Sequence, residues 1–309
     1  MTESTSLFFH IGYPRTGTTY LQKHIFPQYE HSAVLGLPQL QSANGPEKQC
    51  SQIFLERLNA LRQTVEETPQ EHRRSIIYSS EDLSGNVVSD DLSMPYQIRS
   101  ACPGAKIIIC LRSQYSIIPS LYSYCYIKDG GTKPYDAFVK TLLKNNKFDY
   151  FRMVSTYHNL FGKKSVLVLF YESLKENPER FLRDLFRFIG IDFNPDLDNR
   201  SDERHRNPRF PTLVIQGGRA INCILASNPV GTMLNFFYPY PDLDMRVRTL
   251  GRKFFSKLNL INDRLGLYTP TPLENKIYYR NLIRRRYCKP NSELFELLGE
   301  DPVNMGYPM

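Results

Sequence analysis

The 309-residue sequence contains no CxxC pair. Its cysteines, Cys50, Cys102, Cys110, Cys125, Cys223 and Cys288, stand far apart, most of them among apolar neighbours. They read as reduced core thiols, which excludes a disulfide framework and a cysteine-rich zinc site. Six scattered histidines build no Cys/His metal cluster either. No apolar run approaches the ~20 residues that a membrane span needs. The start, MTESTSLFFHIG, lacks the basic opening and apolar stretch of a secretory leader. These absences predict a cytoplasmic chain without a transmembrane segment.

Acidic residues are the scarcer sign, 31 against 39 basic, for a net charge of +8. A basic balance suits an anionic ligand, an anionic polymer or peripheral contact with a membrane surface. Basic clusters stand at 204–206, 246–257 and 280–286, and solvated helix faces account for them equally well. Hydrophobic residues make up 41% and charged residues 23%, ordinary values for a globular chain. The length allows one large α/β domain or two modest ones.

Four short apolar runs read as buried strands: LFFHI (7–11), SIIYSS (75–80), KIIICLR (106–112) and SVLVLFYE (165–172). Each precedes a polar turn and a helical pattern. Helices are predicted at 18–27, 50–66, 114–127, 135–145, 149–161 and 177–189. Such alternation predicts an α/β fold of three layers, α/β/α, around a central parallel sheet. Ligands gather at the carboxyl ends of the strands in such sheets. The stretch from 191 to about 270 is rich in Pro, Asn, Arg and aromatics and reads as loops and short helices over the sheet. Two helices, split at Lys289-Pro290, are predicted near the end. The whole, 1–309, is expected to be a single domain with its core in 6–190.

GYPRTGTTYLQ (12–22) follows the first strand. Gly12 and Gly17 have the spacing of an ATP-type phosphate loop, and Thr19 fills its Ser/Thr position. Thr18 stands where that loop carries lysine, and the cation appears three residues earlier as Arg15. Gly12 lets the chain turn, Gly17 lets backbone N–H groups approach an anion, and the helix start at Thr18 points its positive end there. The missing lysine, and the lack of a convincing second acidic strand to hold Mg²⁺, speak against ATP hydrolysis.

This segment resembles the 5′-phosphosulfate loop of sulfotransferases, Pro-Lys-(Thr/Ser)-Gly-Thr-Thr-x-Leu, with Arg15 in the lysine position, as in many bacterial relatives. The resemblance implies 3′-phosphoadenosine 5′-phosphosulfate (PAPS) as cosubstrate, 3′-phosphoadenosine 5′-phosphate (PAP) as product, and no required metal. It assigns Arg15, Thr16, Gly17, Thr18 and Thr19 to the donor. The family also grips the donor's 3′-phosphate with an Arg at a strand end and a Ser eight residues later. Arg112 and Ser120 in KIIICLRSQYSIIPS have that spacing, although SQYS replaces the family's usual Asn-Pro-x-Asp. Tyr171, in LFYESL, matches a tyrosine that packs near the adenosine.

For the acceptor, Glu81 follows the second long strand in SSEDLSG, where glycan-type relatives carry a glutamate base, and Asp82 competes for the role. The carboxylate would need its pKa raised by partial burial, or would orient the hydroxyl as much as deprotonate it. The resemblance also implies a late basic segment over the nucleotide, to which Arg204 or Arg206 would belong. The resemblance implies a hydroxylated acceptor, first a carbohydrate or glycolipid, then a peptidyl tyrosine or small metabolite, and no nucleic-acid partner. Tyr122, Tyr124 and Tyr126 could line a sugar site, but their spacing prevents all three from facing one way on a helix. Two other classes compete: a P-loop nucleotide kinase or NTPase, and a basic module that binds a polyanion without catalysis.

Overall fold

A computed structural model describes residues 6–28, 33–35, 63, 76–84, 92–128, 133–193, 277–302 and 305–309. Five parallel strands form one sheet: β1 (Leu7–Gly12), β2 (Ala33–Leu35), β3 (Ile76–Ser80), β4 (Lys106–Leu111) and β5 (Val166–Phe170). Their spatial order is β2-β3-β1-β4-β5. The predicted parallel sheet and flanking helices are present, with β2 as an additional edge strand. The helices are α1 (Thr18–Tyr20), α2 (Ser93–Ala101), α3 (Gln114–Lys128), α4 (Tyr135–Lys144), α5 (Tyr150–Phe161), α6 (Tyr171–Glu176), α7 (Pro178–Ile189) and α8 (Ile277–Leu298). Sequence periodicity missed α2 and the short α6. The predicted helix at 50–66 and the covering segment from 194 to 270, with Arg204 and Arg206, lie outside the described residues.

The strands read as unbroken apolar runs because both faces of the sheet are covered. Alternate residues go to opposite sides. Phe9, Ile11, Tyr78, Ile107, Ile109 and Leu111 join a core with α3, α5 and α8. Phe8, Ile77, Ile108, Cys110 and Leu169 join a second core with α7 and the helical segment after the loop. That segment is α for only three residues, continues as a π-turn over Leu21–Ile25, and ends in a 3₁₀ turn over Phe26–Gln28. In the π-turn the Phe26 N–H reaches back to Leu21 O.

The predicted break at Lys289-Pro290 is corrected: α8 runs straight through it. Pro290 removes one backbone donor. The buried stripe nevertheless continues across it, with Ile283 and Tyr287 before and Asn291, Leu294 and Phe295 after. Asn291 adds a polar anchor. Its Nδ2 donates to Gln114 Oε1 (3.2 Å) and Pro308 O (2.9 Å), and its Oδ1 accepts from Gln114 Nε2 (2.9 Å). Packing on both sides of the proline holds a helix that local propensity would end.

His10 packs inside the sheet, as its position in an apolar strand suggests. Nδ1 lies 2.7 Å from Ser79 Oγ and Nε2 3.3 Å from Cys110 Sγ. Burial pushes its pKa from 6.5 down to about 3 and raises the Cys110 thiol to about 12. The folded chain therefore excludes a proton that the unfolded chain binds below pH 6.5. This contribution to stability is complete above that pH and is lost as pH falls from 6.5 toward 3. Denaturation across the window should show stability falling with acid, with a shallower slope in His10→Gln. An unchanged slope would rule out His10 as its source.

Candidate active site

The sheet order sets the place. From β1 the chain crosses to one side to build β2 and β3, then to the other for β4 and β5. The carboxyl ends of β1 and β4 therefore flank the switch point where open α/β sheets bind ligands. The residues just beyond the strand ends are Tyr13 after β1, Glu81 after β3, Arg112 after β4 and Tyr171 after β5. Three of these four are site residues predicted from sequence, and the loop 13–17 carries the others to the same edge.

The loop is tightly wound. Thr16 N–H and Thr16 Oγ1 both donate to Tyr13 O, at 3.2 and 2.6 Å. Thr16 is thus a brace within the loop, its hydroxyl bonded to the loop's own backbone. With that proton committed, Thr18 is the donor in the 3.4 Å contact between the two threonine hydroxyls. Thr18 is buried, whereas the Thr19 side chain is exposed. Arg15 adopts φ 73°, the only positive φ among the described non-glycine residues, and Gly17 follows at 89°. This left-handed pair turns the chain into the helix, whose first N–H groups have no intrahelical acceptor. Tyr13 anchors the loop from below, donating its hydroxyl to Lys147 O at 2.8 Å.

Arg15 and Arg112 come together. Arg112 Nη1 donates to Arg15 O at 2.8 Å. Arg15 Nε donates to Ser120 Oγ at 2.9 Å, so the serine eight residues beyond Arg112 meets the loop. Ser120 thereby uses a lone pair and keeps its own O–H to give. Arg112 Nε donates to Ser116 Oγ at 2.8 Å. The Arg112 guanidinium lies over the Tyr171 ring, 4.6 Å from its centroid, and Lys175 Nζ lies 4.8 Å from the same centroid. The ring also closes on the loop, since a Cβ on Gly17 would sit 3.5 Å from it.

Burial lowers the Arg15 pKa, and the charges of Tyr171, Glu81 and Tyr124 pull it back up. Half-buried Glu81 thus lies within electrostatic reach of the loop cation, at the head of the 3₁₀ turn Glu81–Ser84. The Asp82 side chain lies outside the described residues. Of Tyr122, Tyr124 and Tyr126 on α3, Tyr124 faces Arg15, whose Cζ is 5.9 Å from its ring centroid. Tyr122 packs into the core against Tyr135 and Phe138, as the helical spacing requires, and the Tyr126 side chain is outside the described residues.

Sequence reasoning missed Ser116, Lys175 and Glu172. Ser116 stands four residues after Arg112, one helical turn on, and that spacing was the available signal. Glu172 follows a buried strand, and its carboxyl accepts the Ser113 N–H at 3.1 Å through Oε1. Burial raises its pKa, opposed first by backbone hydrogen bonds and then by Arg112 and Lys175.

A central parallel sheet, a glycine-bearing turn into a helix at its switch point and two converging arginines define an α/β protein with a seat for an anionic ligand. Residues 7–209 match the family model described as the sulfotransferase domain, and the chain belongs to that family. Its activity is accordingly that of a sulfotransferase, a transfer of sulfuryl groups. Solved structures with a similar course include a sulfotransferase from Alicyclobacillus acidocaldarius, at 18% identity and TM-score 0.45 over 63% of this chain and 88% of that one. Mouse sulfotransferase SULT7A1 complexed with PAP aligns at 20% identity and TM-score 0.42 over 63% of each chain. The sulfotransferase domain from the curacin biosynthetic pathway aligns at 16% and 0.40, over 62% of this chain and 76% of that one. No curated protein matches the sequence.

Proposed function

We propose that the protein transfers the sulfuryl group of PAPS to a hydroxyl of a carbohydrate or glycolipid, releasing PAP. The observation that carries the proposal is the 2.8 Å bond from Arg112 to the backbone of Arg15, with Ser120 joined to the Arg15 side chain. An arginine tied to the backbone of the loop that carries a second arginine suits a small ligand with two anionic ends.

Arg15, with the N–H groups of Gly17, Thr18 and Thr19 and the Thr18 and Thr19 hydroxyls once Thr18 turns from its long contact with Thr16, would hold the 5′-phosphosulfate and stabilise the negative charge that develops on the departing phosphate. Arg112, by its fork, and Ser120, by its O–H, would take the 3′-phosphate. Tyr171, already against the Arg112 guanidinium, would lie beside the adenosine. Glu81 would accept the acceptor's proton as its oxygen bonds to sulfur and the bond from sulfur to the phosphate oxygen breaks in line. Tyr124 beside Arg15 gives the acceptor side an aromatic face of the kind sugars pack on. Arg15 supplies charge at the leaving group, so the scheme calls for no metal. A cytoplasmic setting in a bacterial cell goes with this scheme, in keeping with free thiols at Cys102, Cys110 and Cys288. No helix among the described residues is long and apolar enough to cross a membrane.

Incubation of the full chain with isotopically labelled PAPS and a panel of cell-envelope glycans, glycolipids, tyrosine peptides and small alcohols tests the proposal. Mass spectrometry should find an added SO₃ on a glycan or glycolipid. Sulfation confined to tyrosine peptides would overturn the acceptor assignment. Phosphate transfer from ATP with Mg²⁺, and none of sulfate from PAPS, would overturn the scheme.

A further inference from the structure

The turn that carries Arg112 from β4 into α3 is held from several directions at once. Arg112 O accepts the Tyr150 hydroxyl of α5 at 2.7 Å. Ser113 N–H donates to Glu172 Oε1 of α6 at 3.1 Å, and Ser113 Oγ donates to Gly306 O at 2.6 Å. Ser113 O accepts from the N–H groups of Ser116 and Ile117, at 2.9 and 2.8 Å. The segment 305–309 is itself fixed there. Tyr307 packs its ring against Phe170, Phe295 and Tyr150, and Pro308 O takes the Asn291 amide.

Glu172 is the unusual member. A carboxylate is costly to shield from water, and a serine or a water molecule would satisfy one backbone N–H more cheaply. Its Oε2 is nevertheless shielded from water, as is the Tyr307 hydroxyl, and the two side chains lie close enough to interact. Glu172 reaches the turn from the strand next to β4, directly after Tyr171, whose ring bears on the Arg112 guanidinium. One short helix thus touches the Arg112 side chain through Tyr171 and the backbone N–H of the next residue, Ser113, through Glu172.

We propose that Glu172 is a positioning residue for Arg112, fixing the β4–α3 turn through the Ser113 N–H, and that the segment 305–309 completes the clamp through Gly306 O. The inference rests on the scheme in which Arg112 grips the 3′-phosphate. Its effect is on discrimination: a guanidinium locked in place rewards a phosphate at one position, and a loosened one does so less. Hydrogen-bond geometry, not added charge, carries the effect, because Glu172 brings negative charge toward an anion site.

Calorimetric titration of the purified full chain with PAP and with 5′-AMP, which lacks the 3′-phosphate, reads this preference as a ratio of dissociation constants. Arg112→Ala should abolish the ratio. Glu172→Ala and Ser113→Ala should each lower it about tenfold, the scale of one hydrogen bond that orients a charged group. Glu172→Gln, which keeps an acceptor in place of Oε1 and drops the charge, should retain it. Glu172→Asp, with the charge kept and the reach shortened, should behave like the alanine variant and replaces it should that variant fail to fold. A ratio unchanged in Arg112→Ala would overturn the 3′-phosphate assignment itself. A ratio lost in Arg112→Ala yet kept in Glu172→Ala or Glu172→Asp, or lost equally in Glu172→Gln, would overturn the positioning role alone.

Discussion

Replacing Arg15 by alanine is expected to lower kcat for sulfuryl transfer by about 10²–10³-fold, the effect of losing one preorganised donor at a site of developing charge. Arg15 sits at the apex of the loop in a left-handed conformation that non-glycine residues rarely adopt. That backbone aims the side chain at Ser120 and Tyr124 and leaves its carbonyl for Arg112. Alanine accepts the same φ no more easily, so the backbone strain remains while the cation goes. Arg15→Lys should fall between the two, since it restores charge at a point but not the planar fork or the bond to Ser120. Initial rates with saturating PAPS, compared with the melting temperature of each variant, check this. A fall in kcat under tenfold in a folded alanine variant would remove Arg15 from the chemistry.

The second large effect is expected from one methyl group. A Cβ on Gly12 would stand 2.0 Å from Thr18 Oγ1, 3.1 Å from Thr18 Cβ and 3.3 Å from Thr18 Cγ2. Thr18 cannot step aside, because it is buried in the first turn of the helix that the loop delivers. Gly12→Ala must therefore push that helix away from the end of β1. The overpacking should cost about 3 kcal/mol, the upper end of the usual range for such insertions. Donor binding should weaken along with stability, because the displaced N–H groups are those proposed to face the phosphosulfate. The double variant Gly12→Ala/Thr18→Ala removes Oγ1, the nearest atom, and Cγ2 while leaving Cβ, and should recover part of the lost melting temperature. Equal melting temperatures for Gly12→Ala and the double variant would show that the clash lies elsewhere.

Much of this was legible before any coordinates. Strands β1, β3, β4 and β5 are largely buried on both faces, so each reads as a mostly apolar run. The resemblance then located Glu81, Arg112 and Tyr171 just beyond the carboxyl ends of three of them. Strand β2 escaped because three residues at an edge leave no pattern. Pro290 misled because its cost is local, whereas the stripe of Ile283, Tyr287, Asn291, Leu294 and Phe295 that outweighs it is tertiary. Thr16 was assigned to the ligand from its place in a motif, and the motif gave no sign of the bond its hydroxyl makes to Tyr13 O. Glu172 was invisible for a related reason: its partner, Ser113, is 59 residues away. The family's Arg–Ser spacing pointed to Arg112 and Ser120, but no spacing rule reports a contact between elements such as that of Ser120 with Arg15.

The bond between the Arg112 side chain and the Arg15 carbonyl ties the two arginines proposed to grip the cosubstrate into one mechanical unit. A disturbance at either arginine is transmitted to the other without passing through a ligand. Energies of substitution at the two positions should then fail to add, as expected of residues in direct contact. A cosubstrate that lacks either terminus forfeits more than the contacts it cannot make, because it also leaves its surviving grip less well held. The crevice would work as a caliper with a fixed gap, gauging a nucleotide by the separation of its charges.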